Sequence, residues 1–328
     1  MKECFMNVKK LFGSVTAVAL AVLFAAGSAA YAAAYPQKPI TLISPYGAGG
    51  DSDIAARVWA EFAKKELGQP VLVVNKTGGG GLTGTMFASK ARPDGYTLFL
   101  GQLGPCVMLP ITTKAGGLNK DSFDMVARFA TSNTGVVANA DSPWTTLKDF
   151  EHDAKQNPQK YTFSDPSATS WLALAFKGWM HNNSVSAKVV QYTSGAEAAT
   201  AVLGKHGDIS FLFKANFDSL VKGNKLKLLA VGQKMEEYPN VPTFNDLGYA
   251  GNYIAWAAIA APKGLPEEIR EKLQAVTEKI SKDPEFVNAL KNVGFGIDYL
   301  DGAAFKQEVD KQYSDMQDFL KAMNLAVQ

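Results

Sequence analysis

Two glycine-rich stretches combine residue types that could hold an anion. The first is Pro45-Tyr46-Gly47-Ala48-Gly49-Gly50-Asp51-Ser52-Asp53, between the apolar run Ile40 to Ser44 and a helical stretch Ile54 to Leu67. The second is Asn75-Lys76-Thr77-Gly78-Gly79-Gly80-Gly81-Leu82-Thr83-Gly84, between Val71 to Val74 and a helical stretch ending near Ala91. A strand that runs through glycines into a helix leaves backbone N–H groups bare at the positive end of a helix dipole. Such an end favours a bound anion. Two of them in consecutive strand–helix units point to one anion gripped from two sides. Tyr46, Gly49, Gly50, Asp51 and Ser52 are the candidates in the first turn. Gly79, Gly80, Gly81, Leu82 and Thr83 are those in the second.

Other readings compete. Gly79 to Gly84 fits G-x-G-x-x-G after a strand, the dinucleotide fingerprint, which also wants an acidic residue ending the next strand. The next strand, Thr97–Leu100, ends in Gly101-Gln102, and Asp94 stands at its wrong end. A plain tight turn is the second alternative. Asp51 and Asp53 open a helix, where Asp is a favoured cap. Asp53 reads as structural. Asp51 either caps or contacts a polar or cationic part of the ligand, because a bare carboxylate beside an anion repels it.

Two further strand-to-helix turns lie in the second half of the chain. Ser164-Asp165-Pro166-Ser167-Ala168-Thr169-Ser170 is rich in hydroxyls, which either cap a helix or meet a ligand's polar end. Gln191-Tyr192-Thr193-Ser194-Gly195 places Tyr192 to line a cleft. Gln102, Ser164, Ser167, Ala168, Thr169 and Tyr192 join the candidate binding residues.

The elements that must position these residues alternate. Strands are expected at Ile40–Ser44, Val71–Val74, Thr97–Leu100, Gly135–Asn139, Tyr161–Ser164, Lys188–Gln191, Asp208–Phe211, Leu226–Val231 and Ile254–Ala260. Helical patterns lie between most of them. Ser142 or Thr145 could cap a helix running to Gln156, and Ser170–Met180 and Gly195–Leu203 read as helices. Pro266–Ser281, Pro284–Val293 and Ala303–Met323 are amphipathic. This alternation predicts an α/β fold with parallel sheets and helices on both faces. Such sheets bind ligands at the carboxyl ends of their strands, where the glycine turns sit. With no long linker, two domains imply that the chain crosses between them more than once.

Residues 1–32 read as a secretory signal peptide. Lys2, Lys9 and Lys10 form a positive n-region, Leu11 to Ala26 an apolar core, and Ala30-Tyr31-Ala32 a small-residue cleavage site. A membrane anchor is the alternative, but the run is short and Gly13, Ser14 and Thr16 dilute it. No Cys follows at a lipobox position, and Met6 would also serve as a start. The whole chain has 33 basic and 31 acidic residues. The leader holds three of the lysines and one glutamate, so the remainder is balanced. Bulk charge therefore favours neither nucleic acid nor an anionic membrane. No later stretch reaches the ~18 apolar residues of a membrane span. With Cys4 in the leader, Cys106 stands alone, which excludes an internal disulfide and reads as a buried inert thiol.

Catalytic constellations are absent from the sequence. His152, His181 and His206 are scattered in polar contexts. No metal-ligand spacing, no G-x-S-x-G elbow and no P-loop occurs. No cofactor, no metal and no enzyme activity is expected.

The ordered motifs resemble one family along the whole chain after the leader. Tyr35-Pro36-Gln37-Lys38-Pro39-Ile40, Pro45 to Asp53, Gly68-Gln69-Pro70-Val71 and Asn75 to Gly81 are similar to signatures of the substrate-binding receptors of tripartite tricarboxylate transporters, the Bug family. So are Pro93-Asp94-Gly95-Tyr96-Thr97-Leu98, Thr146-Leu147-Lys148-Asp149, Gln191 to Gly195, Val241-Pro242-Thr243-Phe244 and Ala261-Pro262-Lys263-Gly264. The resemblance implies a two-lobed periplasmic binding protein of type II-like α/β fold, each lobe a mostly parallel sheet flanked by helices. Lobe one would comprise 33–137 plus 254–328, and lobe two 138–253. A carboxylate would sit between the two glycine loops of lobe one, held by backbone N–H groups and bridging waters, while lobe two closes over its other end. The implied function is capture of a small organic carboxylate in the periplasm for the small and large membrane subunits of a transporter. A monomer is expected, with no nucleic-acid partner. The alternatives are a nucleotide-cofactor oxidoreductase and a ligand sensor for a signalling receptor. The chain departs from the family pattern at Tyr46, Ala48, Asp51, Asp165-Pro166-Ser167 and Trp171, which line the expected cleft and leave the ligand open.

Overall fold

The apolar runs that precede the two glycine turns and Gln102 form adjacent strands. The computed structural model describes residues 35–113, 115–166, 171–192, 194–249 and 254–322, and all elements below belong to one unit, Lys38–Gln328. The first half holds β1 (Ile40–Ser44), α1 (Asp51–Leu67), β2 (Val71–Asn75), α2 (Leu82–Ser89), β3 (Thr97–Gly101), a π-helical turn (Gly104–Met108) running into α3 (Leu109–Thr112), β4 (Phe123–Ser132) and β5 (Thr134–Asn139). Then come α4 (Leu147–Gln156), β6 (Thr162–Asp165), α5 (Trp171–Asn182), β7 (Lys188–Gln191), α6 (Gly195–Leu203), β8 (Ile209–Phe213), α7 (Lys214–Lys222) and β9 (Leu226–Val231). Last are β10 (Ala255–Pro262), α8 (Glu267–Ser281), α9 (Pro284–Asn292), β11 (Phe295–Asp301) and α10 (Gly302–Ala322).

These strands form two sheets, ordered β11-β4-β10-β3-β1-β2 and β7-β6-β8-β5-β9. The α/β class with helices flanking each sheet stands, but both sheets are mixed rather than mostly parallel. β1 runs parallel to β2 and β3, and β6 parallel to β7 and β8; every other pairing is antiparallel. The reason lies in the crossings. The chain leaves the first sheet along β4, enters the second along β5 after the single residue Asn133, and returns along β10. A strand that carries the chain out must be antiparallel to one that brings it back beside it.

Trp256, Ala258 and Ala260 of β10 pack with Ala88 of α2 and with Phe305, Val309 and Leu320 of α10. On the other side, Trp59 of α1 donates to Thr277 of α8 at 3.3 Å. In the second sheet, Val136, Phe163 and Phe211 meet Phe150 of α4 and Phe176 of α5. Val137, Leu212 and Leu228 meet Ala198 of α6 and Phe217 of α7 on the opposite face.

Several elements depart from the sequence reading, α3 and α7, which it did not contain, among them. α1 begins at Asp51, three residues before Ile54, with Gly50 as its N-cap. Thr146, not Ser142 or Thr145, caps α4, in a reciprocal box with Asp149. β4 and β11 were not expected, because β4 is buried along its whole length and has no alternation to read. It also carries Asp124 and Arg128, which look foreign to a core strand. Both are satisfied. Asp124 accepts from Lys263 Nζ and from the N–H groups of Gly264 and Leu265, and Arg128 pairs with Asp298 and Glu308.

Candidate functional site

Because β1 lies between β2 and β3 and parallel to both, their carboxyl ends share one end of the sheet. The turns that follow them are therefore neighbours, and Tyr46, in the middle turn, reaches both others. A Cβ built on Gly81 would lie 3.2 Å from the Tyr46 ring and 3.3 Å from its hydroxyl, and one on Gly104 would lie 2.9 Å from that hydroxyl. Glycine at 81 and 104 is what leaves room for the ring.

The first turn is fastened to the second by partly buried polar groups. Asn75 Nδ2 at the end of β2 donates to the Tyr46 carbonyl and to Asp53 Oδ1, both at 2.9 Å. Asp53, only 3% exposed, also accepts from Gly49 N–H and from Arg57 Nε, each at 2.9 Å. Burial alone would raise the Asp53 carboxyl, but its bonds from Arg57, Gly49 and Asn75 outweigh burial and hold it below the ordinary carboxylate value. Asp53 therefore shapes the loop, as its sequence position implied. Gly84 packs against Pro45 Cα and the Lys76 carbonyl, where a Cβ would lie only 2.8 and 2.6 Å away.

Both helix starts at this end lack a side-chain cap. Gly50 is the N-cap of α1 and Gly81 that of α2, and neither has a side chain to offer the first N–H groups. Elsewhere, α4, α6 and α9 are capped by Thr146, Ser194 and Asp283, while α7 and α8 also lack a side-chain cap. The second turn is held in a shape only glycine tolerates well: Gly78, Gly79, Gly80 and Gly81 have φ of 126, 56, 64 and 97°. Thr83 N–H and Gly81 N–H both close back on the Gly78 carbonyl, at 3.3 and 3.1 Å. Thr83 is exposed and Leu82 half-buried.

Ser52 and Gln102 meet, the Ser52 hydroxyl donating to Gln102 Oε1 and joining the first turn to the end of β3. Cys106 lies in the π-helical turn, buried, its thiol pushed up to about 12 by burial, which the backbone of Gln102 only partly offsets. That is an inert thiol, as the sequence implied. Burial likewise pushes the Tyr46 phenol well above its ordinary value, and the neighbouring Cys106 adds to it.

The lobe-two candidates are placed differently. Ser164 is fully buried in β6, with its hydroxyl 2.0 Å from where a Cβ on Gly207 would stand, so it faces Gly207 rather than an open surface. Its neighbour Asp165 is buried too and pairs with Lys177 Nζ at 2.7 Å. Tyr192 is half-buried against the α6–α7 core, and its N–H bonds the Asp165 carbonyl at 2.9 Å. Ser167, Ala168 and Thr169 lie outside the described residues. Among the described residues no cluster of His, Cys, Asp or Glu could hold a metal ion, and no helix is long and apolar enough to cross a membrane.

Sequence reasoning missed Arg57, Asn75 and Gly104 as parts of this site. Arg57 is four residues after Asp53 on one helix face, a readable signal. Nothing local marks Gly104, whose value depends on a ring arriving from residue 46.

Known proteins are similar to this chain. Residues 55–325 match the model of the tripartite tricarboxylate transporter family receptor. A protein of Cupriavidus necator encoded in the gbd 5′ region is 32% identical over 297 residues, 90% of each chain. A solved structure described as a periplasmic transporter is 29% identical with a TM-score of 0.80, over 90% of this chain and 100% of that one. The structure of the periplasmic binding protein BugD is 26% identical with a TM-score of 0.76, over 90% and 100%. The chain belongs to the tripartite tricarboxylate transporter receptor family, a family of periplasmic solute-binding proteins.

Proposed function

We propose that this receptor grips one carboxylate of a small organic acid between the turn 47–52 and the turn 79–83, and delivers it to the membrane subunits of its transporter. The observation that carries this is the pair of uncapped helix starts, held side by side by Tyr46, Asn75 and Gly84. Backbone N–H groups at a helix start stabilise an anion without a cationic side chain. Lobe one takes in 33–133 plus 254–328 and lobe two 134–253, the boundary expected at 137 moving to Asn133 because all of β5 pairs within the second sheet. The hinge runs through Asn133, whose Oδ1 accepts from Gln233 Nε2 on the returning segment. Gln102 lies beside the gripping turn through Ser52, Tyr192, Ser167, Ala168 and Thr169 complete the proposed binding residues, and Asp51 sets which ligands are accepted. The receptor is exported by the leader 1–32, works as a monomer and catalyses no reaction.

Affinity follows from simple magnitudes. Charge-assisted N–H bonds contribute roughly 1.5–3 kcal/mol each, and association costs several kcal/mol. Four or five bonds then reach micromolar binding, about −8 kcal/mol. Thermal-shift measurement with mono- and dicarboxylates, sugars and amines tests this. At 100-fold excess over Kd a cognate acid adds ~2.7 kcal/mol of stability, several degrees in Tm. Shifts with sugars or amines and none with carboxylates would refute it. Gly80→Val abolishes the carboxylate shift while the apo protein still folds.

A further inference from the structure

Around the three turns at the carboxyl ends of β1, β2 and β3, nearly every polar side chain is already engaged. Ser52 bonds Gln102, and Asp53 takes bonds from Gly49, Arg57 and Asn75. Asn75 also holds the Tyr46 carbonyl, and Thr85 Oγ1 donates to the Gly81 carbonyl at 2.8 Å. Two hydroxyls are exceptions: Ser44 Oγ, buried at the end of β1, has no partner, and the Tyr46 hydroxyl, on a half-buried side chain, makes no hydrogen bond among the described residues. A donor that a bound ligand shuts off from water costs free energy unless the ligand completes it, so the Tyr46 hydroxyl favours a ligand that carries an acceptor there.

The position of this hydroxyl is specific. It lies 3.3 Å from where a Cβ on Gly81 would stand, on the N-cap residue of α2, and 2.9 Å from the corresponding point on Gly104. It therefore stands beside the carboxylate-gripping turn rather than along the cleft. Its phenol stays protonated, since burial and the neighbouring Cys106 thiol both disfavour the phenolate. It can then donate to an oxygen throughout the pH range of growth.

We infer that the Tyr46 hydroxyl is a specificity-determining donor, bonding an oxygen that the ligand carries on the carbon next to its gripped carboxylate. This rests on the carboxylate reading above and narrows it to 2-oxo and 2-hydroxy carboxylates. A plain-chain acid gives the hydroxyl no partner while cutting it off from water. The backbone turns hold the carboxylate itself, and Tyr46 reads the adjacent carbon.

Calorimetry on the mature chain with matched acids tests this: 2-oxoglutarate, 2-hydroxyglutarate and glutarate, malate and succinate, lactate and propionate. The wild type binds the oxygenated member of its best series about tenfold tighter than the plain one, one hydrogen bond's worth. In Tyr46→Phe, which keeps the ring, that ratio collapses towards one. Gly104→Ala, whose new methyl would occupy the hydroxyl's space, collapses it too and serves if Tyr46→Phe does not fold. A ratio that survives Tyr46→Phe, or equal loss for both members of a pair, overturns the inference. Equal loss would mean that the hydroxyl binds the carboxylate. If no acid binds the wild type, the carboxylate reading fails, and the inference falls with it.

Discussion

Gly84→Ala separates two opposing effects at the joint between the glycine turns. Gly84 lies inside α2 with ordinary helical backbone, so alanine there should gain about 0.5–1 kcal/mol from helix propensity alone. The structure predicts the opposite sign. Its Cβ would stand 2.6 Å from the Lys76 carbonyl and 2.8 Å from Pro45 Cα, both backbone atoms with no rotamer to escape into. Carbon atoms settle at about 3.5–4.0 Å, so α2 must retreat from the first turn by ~0.7 Å or more. Overpacking of this kind costs about 1–3 kcal/mol. The net loss is then centred on about 1 kcal/mol, or roughly 1–3 °C in Tm at this chain length. The same displacement parts the two turns and stretches at least one carboxylate bond beyond useful length, a further loss of about tenfold or more in affinity. Differential scanning calorimetry and titration of the best-binding carboxylate measure both. Gly47→Ala, with nothing within 4 Å of its Cβ, is the control for stability alone, since residue 47 lies in the gripping turn. A Gly84→Ala protein as stable as the wild type or more so, with unchanged affinity, would show that the close approach of α2 to Pro45 is not built as described.

Three further outcomes follow. Asp53 has a depressed folded-state value, so its contribution is present above the unfolded value of about 4 and is lost as pH falls through the folded one. The Tm gap between wild type and Asp53→Asn should therefore be largest near neutrality and narrow below about pH 4; a gap independent of pH refutes this. Cys106 should resist a thiol reagent at pH 8 in the native protein and react fully in denaturant, and fast native labelling would contradict its burial. Gln233→Ala removes side-chain bonds to Asn133 and Thr131 between the crossing segments. It should cost about 1 kcal/mol, a few degrees in Tm, and no change would place the hinge contact elsewhere.

The glycine turns and their strands were legible because their signals are local: a short apolar run, glycines, then helical periodicity. Asp53 was legible as structural for the same reason. The sheet's mixed character was not, since the direction of β10 follows from where the chain crosses between sheets, which no window of sequence records. β4 escaped because a strand covered on both faces shows no alternation, and its Asp124 and Arg128 find partners on distant elements, Lys263 and Glu308 among them. Ser164 looked like a binding hydroxyl from its turn-rich neighbourhood. Its side-chain direction depends on Gly207, more than forty residues away, whose missing Cβ gives the hydroxyl its space. Gly104 and Tyr46 form a pair only because β1 sits between β2 and β3, a fact of topology rather than of spacing.

The central claim is that one carboxylate is held by the backbone of two adjacent turns. A crystal structure of the protein with its tightest-binding carboxylate tests it most directly. Carboxylate oxygens are expected within hydrogen-bonding distance, directly or through one water, of N–H groups in both 47–52 and 79–83. A carboxylate anchored by lobe-two side chains alone, with both turns facing only solvent, would contradict it.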